Sequence, residues 1–317
     1  MKPGEFPPID LTVPEFRAAS AFGLWLEHPV VKALIPVLVI AAIAPLVHRV
    51  FRSTWAELDR AARAEVEADP STDYQSMVAL VLLAVTLTLQ DYYGGRPFFD
   101  DVLKGPLTEL EAAGHTYIQL AKYSGLYSFG WWAVSRALGY VVVPIVLWKL
   151  LFPRVKVLDL GLRIRGFSSH LGLYALCLGA VAFAMVLVAR QPDFLAYYPF
   201  YKTASRSWFD FLVWEAMYFL QFFALEFYFR GFLLGVLKRR AGSLAIFILA
   251  VPYCMIHYGK PYLETHGAII AGVVLGSLSA RTASIYAGFL VHVTVAGAMD
   301  FLALAEVHGL PHAFWPP

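Results

Sequence analysis

The chain has 317 residues, 59% of them hydrophobic and only 15% charged, with a formal net charge of +2. A mean hydropathy of +0.61 excludes an ordinary water-soluble domain of this length and points to an all-α, polytopic transmembrane helical bundle. The net charge says nothing about nucleic acid, no basic tract suggests such a partner and none is expected, and long continuous apolar runs set aside an outer-membrane barrel, whose strands are short and alternating.

In chain order, residues 1–29 read as a proline-punctuated arm rather than a signal peptide, with a short interfacial helix near Phe22–Leu26. The first predicted span is Val30–Val47. Ser53–Asp69 reads as a separate surface helix: Thr54 and Glu57 have capping-box spacing, and Pro70 ends it. Further spans are predicted at Ser76–Gln90, Tyr127–Leu150, His170–Ala189, Trp208–Leu237, Ser243–His257, His266–Ser279 and Ser284–Leu304, about eight in all. Pro252 should kink the sixth of them. Ala268, Gly272, Gly276 and Ala280 repeat every four residues in the seventh and predict close helix packing. Cys177 and Cys254 both fall in apolar segments and read as buried free thiols. Residues 1–150 are expected to form an arm with three transmembrane helices, and residues 151–317 a core that carries the site.

Basic residues alternate between loops. Arg49, Arg52, Arg60 and Arg63 follow span one. Lys149, Arg154, Lys156, Arg163 and Arg165 follow span three. Lys238, Arg239 and Arg240 follow span five, and Arg281 follows span seven. The positive-inside rule places these loops in the cytoplasm and both termini outside, with a bacterial cytoplasmic membrane as the expected location.

The chemistry concentrates in the fifth span, where Glu226 and Arg230 sit four residues apart in an aromatic run. That spacing puts them on one helical face in the order that favours an ion pair. Ionisable groups at bilayer depth are costly and usually face a bundle interior. His257 and His292 also lie in apolar segments. Counting about 1.5 Å per residue from the loops at 238, 243 and 281 brings Glu226, His257 and His292 to similar depth, about 16–21 Å in. A desolvated Glu can act as a general base, and a His can share the proton work or donate to a tetrahedral oxyanion. The same three residues are also a conceivable zinc set, disfavoured by the lack of a His-Glu-x-x-His helix.

These residues resemble the CPBP (CAAX protease and bacteriocin-processing, Abi) family of intramembrane proteases. The family's Glu-Glu-x-x-x-Arg appears as Leu225-Glu226-Phe227-Tyr228-Phe229-Arg230, its Phe-x-x-x-His as Tyr253-Cys254-Met255-Ile256-His257, and its His-x-x-x-Asn as His292-Val293-Thr294-Val295-Ala296. The likeness covers roughly residues 150–305. It implies a metal-free endopeptidase that cuts a membrane-tethered or lipidated protein near its C-terminus, so that a protein or lipopeptide in the bilayer is the partner. It implies Glu226, His257 and His292 as catalytic residues, with Arg230 and Tyr253 supporting them. Two positions depart: Leu225 stands for the first Glu, which with the His of the second motif activates a water, and Ala296 stands for the Asn that helps hold the oxyanion. Two other readings remain beside the protease: a catalytically inactive homologue serving as an immunity or scaffold protein, and a proton-coupled transporter using Glu215, Glu226 and the histidines.

Overall fold

The structure is a computed structural model that describes residues 28–154, 160–163, 171–188 and 192–317. The expected arm and the interfacial helix at Phe22–Leu26 lie outside these residues. Among the described residues nine main helices follow in order: α1 Pro29–Ala68, α2 Tyr74–Tyr92, α3 at residues 96–112, α4 Leu120–Leu151, α5 Leu171–Val188, α6 Trp208–Ala241, α7 Leu244–Met255, α8 Tyr262–Thr282 and α9 Tyr286–Glu306. Among the described residues there are no strands beyond one isolated bridge, Leu162 with Ser284. Six helices (α1, α2, α4, α6, α8 and α9) are long and apolar enough to cross a membrane, while Leu171–Phe183 and Leu244–Met255 are shorter apolar stretches. The chain is an all-α polytopic bundle.

The surface helix expected at Ser53–Asp69 is not separate. It continues the first span as one helix of 40 residues, about 60 Å long at 1.5 Å per residue. Thr54 is buried within it, so the capping-box spacing marks no helix start. The run from Ala56 to Ala68 is rich in Ala, Glu and Arg, which propagate a helix already begun. The extension packs on the bundle through Trp55, whose Nε1 donates to Ser277 Oγ at 2.9 Å. Asp59 Oδ1 accepts from Ser243 N at 2.7 Å, and the ion pairs Arg239 with Glu65 and Arg240 with Asp69 close the end. Ser71 and Arg240 hold the Asp69 carboxyl below its ordinary value, the Ser71 hydrogen bonds contributing most.

α6 is the hub. Of its apolar window 83% is buried, against 6% for α1. One side meets α4 through Phe129 on Trp214 at 4.5 Å and through the stacked rings of Tyr140 and Tyr228 at 5.0 Å. Its start is capped twice. Ser207 Oγ accepts from Asp210 N at 3.0 Å, and the C-terminal segment supplies carbonyls to two free amides, Trp208 N to Ala313 O at 3.0 Å and Phe209 N to Phe314 O at 2.9 Å. α7 and α8 approach closely, as the small-residue repeat predicts. A Cβ on Gly272 would lie 3.2 Å from Ala250 and from the Tyr253 ring, and one on Gly276 would lie 3.0 Å from Ile246. Cys177 and Cys254 are free thiols, partly exposed rather than buried.

Candidate functional site

The site forms where α6, α7 and α9 meet. α6 is α-helical through Glu226 and then widens into a π-helical stretch, Phe227–Leu233, before Leu234 resumes the α-helix. Such widenings recur at functional sites. One cause is local. The Leu160 carbonyl is pressed against Gly231, where any Cβ would collide with it, and the same loop accepts a hydrogen bond from Ile285 N at Gly161 O, 3.0 Å, just before α9 begins. The strap at Leu160 and Gly161 therefore touches two of the three helices that carry the site, α6 and α9.

Glu226 is fully buried. Its Oε1 lies 3.2 Å from Arg230 Nη1 and 3.0 Å from His292 Nδ1. The guanidinium also covers the Tyr253 ring, 3.9 Å from its centroid, a cation–π contact that desolvation strengthens. The expected ion pair is thus present, and His292 completes it from α9. On its other side the His292 Nε2 lies 2.8 Å from the Tyr253 hydroxyl. Phe222 stacks on the imidazole at 5.0 Å with planes 11° apart, which fixes the ring's orientation.

His257 lies just past the end of α7, in the turn that follows Met255, rather than inside the helix. Its Nδ1 is 2.7 Å from the Tyr253 carbonyl, and its ring is 4.8 Å from that of Tyr253. A carbonyl can only accept, so Nδ1 carries the proton and Nε2 keeps a lone pair. Thr265 Oγ1 donates to the His257 carbonyl at 2.8 Å and holds the turn. The structure therefore joins Glu226 directly to His292 and brings His257 in through Tyr253. The two departing positions are apolar and buried, Leu225 and Ala296 each at 3% exposure.

The residues fit a metal poorly. His292 Nε2 meets the Tyr253 hydroxyl while its Nδ1 lies 3.0 Å from Glu226 Oε1, and one ring nitrogen of His257 faces a carbonyl. Among the described residues no three His, Cys, Asp or Glu side chains come together as ligands.

Two features escaped the sequence reading. Gly288, one turn before His292, lies under the Glu226 carboxylate, and a Cβ there would collide with Oε2. The signal was available as a glycine four residues before the histidine, on the same face. Asp300 on α9 is fully buried opposite Glu215, and its Oδ2 accepts from Trp214 Nε1 at 2.6 Å. An acid eight residues after His292 in an apolar helix was the sign.

No curated protein and no solved structure matches the chain. A family model described as type II CAAX prenyl endopeptidase Rce1-like matches residues 206–298, which include Glu226, Arg230, Tyr253, His257 and His292. The segment that carries these five residues is therefore similar to the Rce1-like type II CAAX prenyl endopeptidases, consistent with the resemblance to the CPBP/CAAX protease family.

Proposed function

We propose that this integral membrane protein is an intramembrane endopeptidase that cleaves a membrane-tethered or lipidated protein near its C-terminus. The observation that carries the reading is the convergence of His257 and the Glu226–His292 pair on Tyr253 inside the matched domain. His257 Nε2, with its lone pair available, takes a proton from water as the water oxygen bonds to the scissile carbonyl carbon. The Tyr253 hydroxyl, which donates to His292 Nε2 before substrate enters, turns its proton to the oxygen on which negative charge develops. The C–N bond then breaks, and the proton on His257 passes to the leaving amine. Glu226, buried and engaged by Arg230 and His292, serves better as the fixed charge that orients the imidazole than as the base itself. His257 and Tyr253 are on this reading the groups that meet the reacting atoms, His292 acts through the Tyr253 hydroxyl, Glu226 orients His292, and Arg230 holds Glu226 and the Tyr253 ring.

The test is cleavage of a farnesylated C-terminal peptide by the protein in proteoliposomes, followed by mass spectrometry. His257→Ala should slow cleavage by about 10²–10⁴-fold, the span for a general base. Glu226→Gln should slow it too, through misorientation of His292. Undiminished cleavage by His257→Ala would sink the assignment of the base.

A second reading is favoured by the buried, apolar Leu225 and Ala296 at the positions of the family's first Glu and its Asn. Here the chain is a non-catalytic homologue that holds such segments as a scaffold or immunity protein. Wild-type protein that retains the lipidated peptide and never cuts it, with cutting restored by Leu225→Glu together with Ala296→Asn, would decide for this reading.

A further inference from the structure

α6 and α9 run antiparallel along one seam, which brings acidic groups of α6 against polar groups of α9 at two levels, and Glu226 with His292 is one of them. The other is Glu215 with Asp300. Both acids lie in membrane-spanning helices, at 6% and 0% exposure. Glu215 Oε2 lies 3.7 Å from where a Cβ on Gly297 would stand, one turn before Asp300, and the neighbouring Trp214 reaches Asp300, so the two carboxyl groups sit side by side at one level of the seam. Trp214 Nε1 donates to Asp300 Oδ2 at 2.6 Å, yet both oxygens of Glu215 and Oδ1 of Asp300 have no donor aligned on them. Every other charged group of the neighbourhood is engaged elsewhere. Lys260 pairs with Glu264 at 2.7 Å, and Tyr198 donates to Glu264 at 2.7 Å. Lys202 donates to the carbonyls of Ala196 and Tyr197. Lys202, Lys260 and, on α6, Tyr218 are the other titratable groups near Asp300.

Two carboxylates in contact at low dielectric cannot both be ionised. An unsatisfied acceptor buried in hydrocarbon is expensive. A single added proton answers both problems. It removes the like-charge repulsion, and the resulting O–H···O⁻ bond, of the short charge-assisted kind, supplies the donor that the facing oxygens lack. A hard metal cation would need six or more oxygen ligands, and the pair offers three free ones.

We propose that Glu215 and Asp300 form a proton-binding site, in which the two carboxyl groups hold one proton between them and so clasp α6 to α9. This stands apart from the hydrolytic reading, because it needs neither substrate nor turnover. The clasp bears on the other polar contact of the seam. Removing its proton puts two like charges at the interface that also aligns Glu226 with His292.

Infrared difference spectroscopy on the full chain in lipid vesicles tests it. A protonated-carboxyl carbonyl band should be present at neutral pH, shift in D₂O, and disappear in both Glu215→Gln and Asp300→Asn. Because the pair gains a proton on folding, wild-type stability should fall as pH rises, the unfolding equilibrium moving by up to about tenfold per pH unit. Each variant should flatten that slope. Should either variant fail to fold, ¹³C-carboxyl labelling of aspartate in the wild type must still move the band. Absence of the band, or its survival in both variants, overturns the proposal. So does wild-type stabilisation by sodium at fixed pH that the variants lack, which would assign the pair to a metal cation.

Discussion

Arg230 shows how much one residue holds at this depth. It neutralises Glu226 and covers the Tyr253 ring, and it is nearly inaccessible. Arg230→Ala should leave the carboxylate uncompensated, a cost of about 3–5 kcal/mol for a buried pair broken on one side. The outcome to look for is low membrane yield and early thermal unfolding. Glu226→Gln combined with Arg230→Gln should recover part of the yield, and a well-folded but inactive single variant would contradict a mainly structural pairing. Gly288→Ala is the opposite kind of change, a methyl driven into Glu226 Oε2. It should cost about 1–3 kcal/mol as an overpacking substitution, and a melting comparison with Gly267→Ala, where nothing stands within 4 Å, checks that the effect is local. These residues also show what a sequence can and cannot disclose. Glu226 and Arg230 stood out because charge is rare in an apolar run. Gly288 did not, since its role is defined by a side chain 62 positions away, 288 minus 226, which only the fold supplies.

At the scale of elements, the apolar spans were legible because hydropathy accumulates over a whole window. The junction of the first span with the extension to Ala68 was not, because a capping box is a local pattern that also occurs inside a continuing helix. The turn from Phe227 to Leu233 was hidden for a related reason. Placing residues at 100° each assumes an α-helix throughout, whereas the strap at Leu160 and Gly161 lies outside α6 altogether. The α7–α8 pair was readable from its spaced small residues, and it carries a consequence for the site. Gly272 leaves room for the Tyr253 ring, 3.2 Å from where a Cβ would be. Gly272→Leu should therefore push Tyr253 off His292 and lower both stability and any cleavage. Ala268→Gly, which only removes a methyl from the same stripe, should spare the cleavage. Equal loss in the two variants, measured in one proteoliposome assay, would show that the stripe is not specific to Tyr253.

For the whole molecule, the basic loops that alternate along the sequence meet at one end of the bundle. Arg239 and Arg240 reach Glu65 and Asp69, Arg281 Nη1 reaches the Val50 carbonyl at 3.5 Å, and the Gly161 loop touches the start of α9. We infer that this end faces the cytoplasm, following the positive-inside rule. Arg239→Cys should then resist a membrane-impermeant thiol reagent in intact cells and react after permeabilisation, and ready labelling of intact cells would reverse the orientation. The exposed ion pairs at this end should add little to stability, since water and salt screen them.

The two glycines of α9 that lie beneath acids of α6 set how far one helix can travel along the other. Gly288 admits the Glu226 carboxylate, and a Cβ on Gly297 would stand in ordinary contact with Glu215 Oε2, at 3.7 Å. The Gly288 notch takes the Glu226 carboxylate where any Cβ would collide with it, and that fixes the alignment of the two helices. Slippage of α9 by one helical turn, about 5.4 Å, would bring bulkier side chains against both acids at once. The pair works as an indexed rail rather than a sliding joint, and opening the bundle to a substrate must therefore come from tilting α9 away or from moving α7, never from a piston stroke along α6.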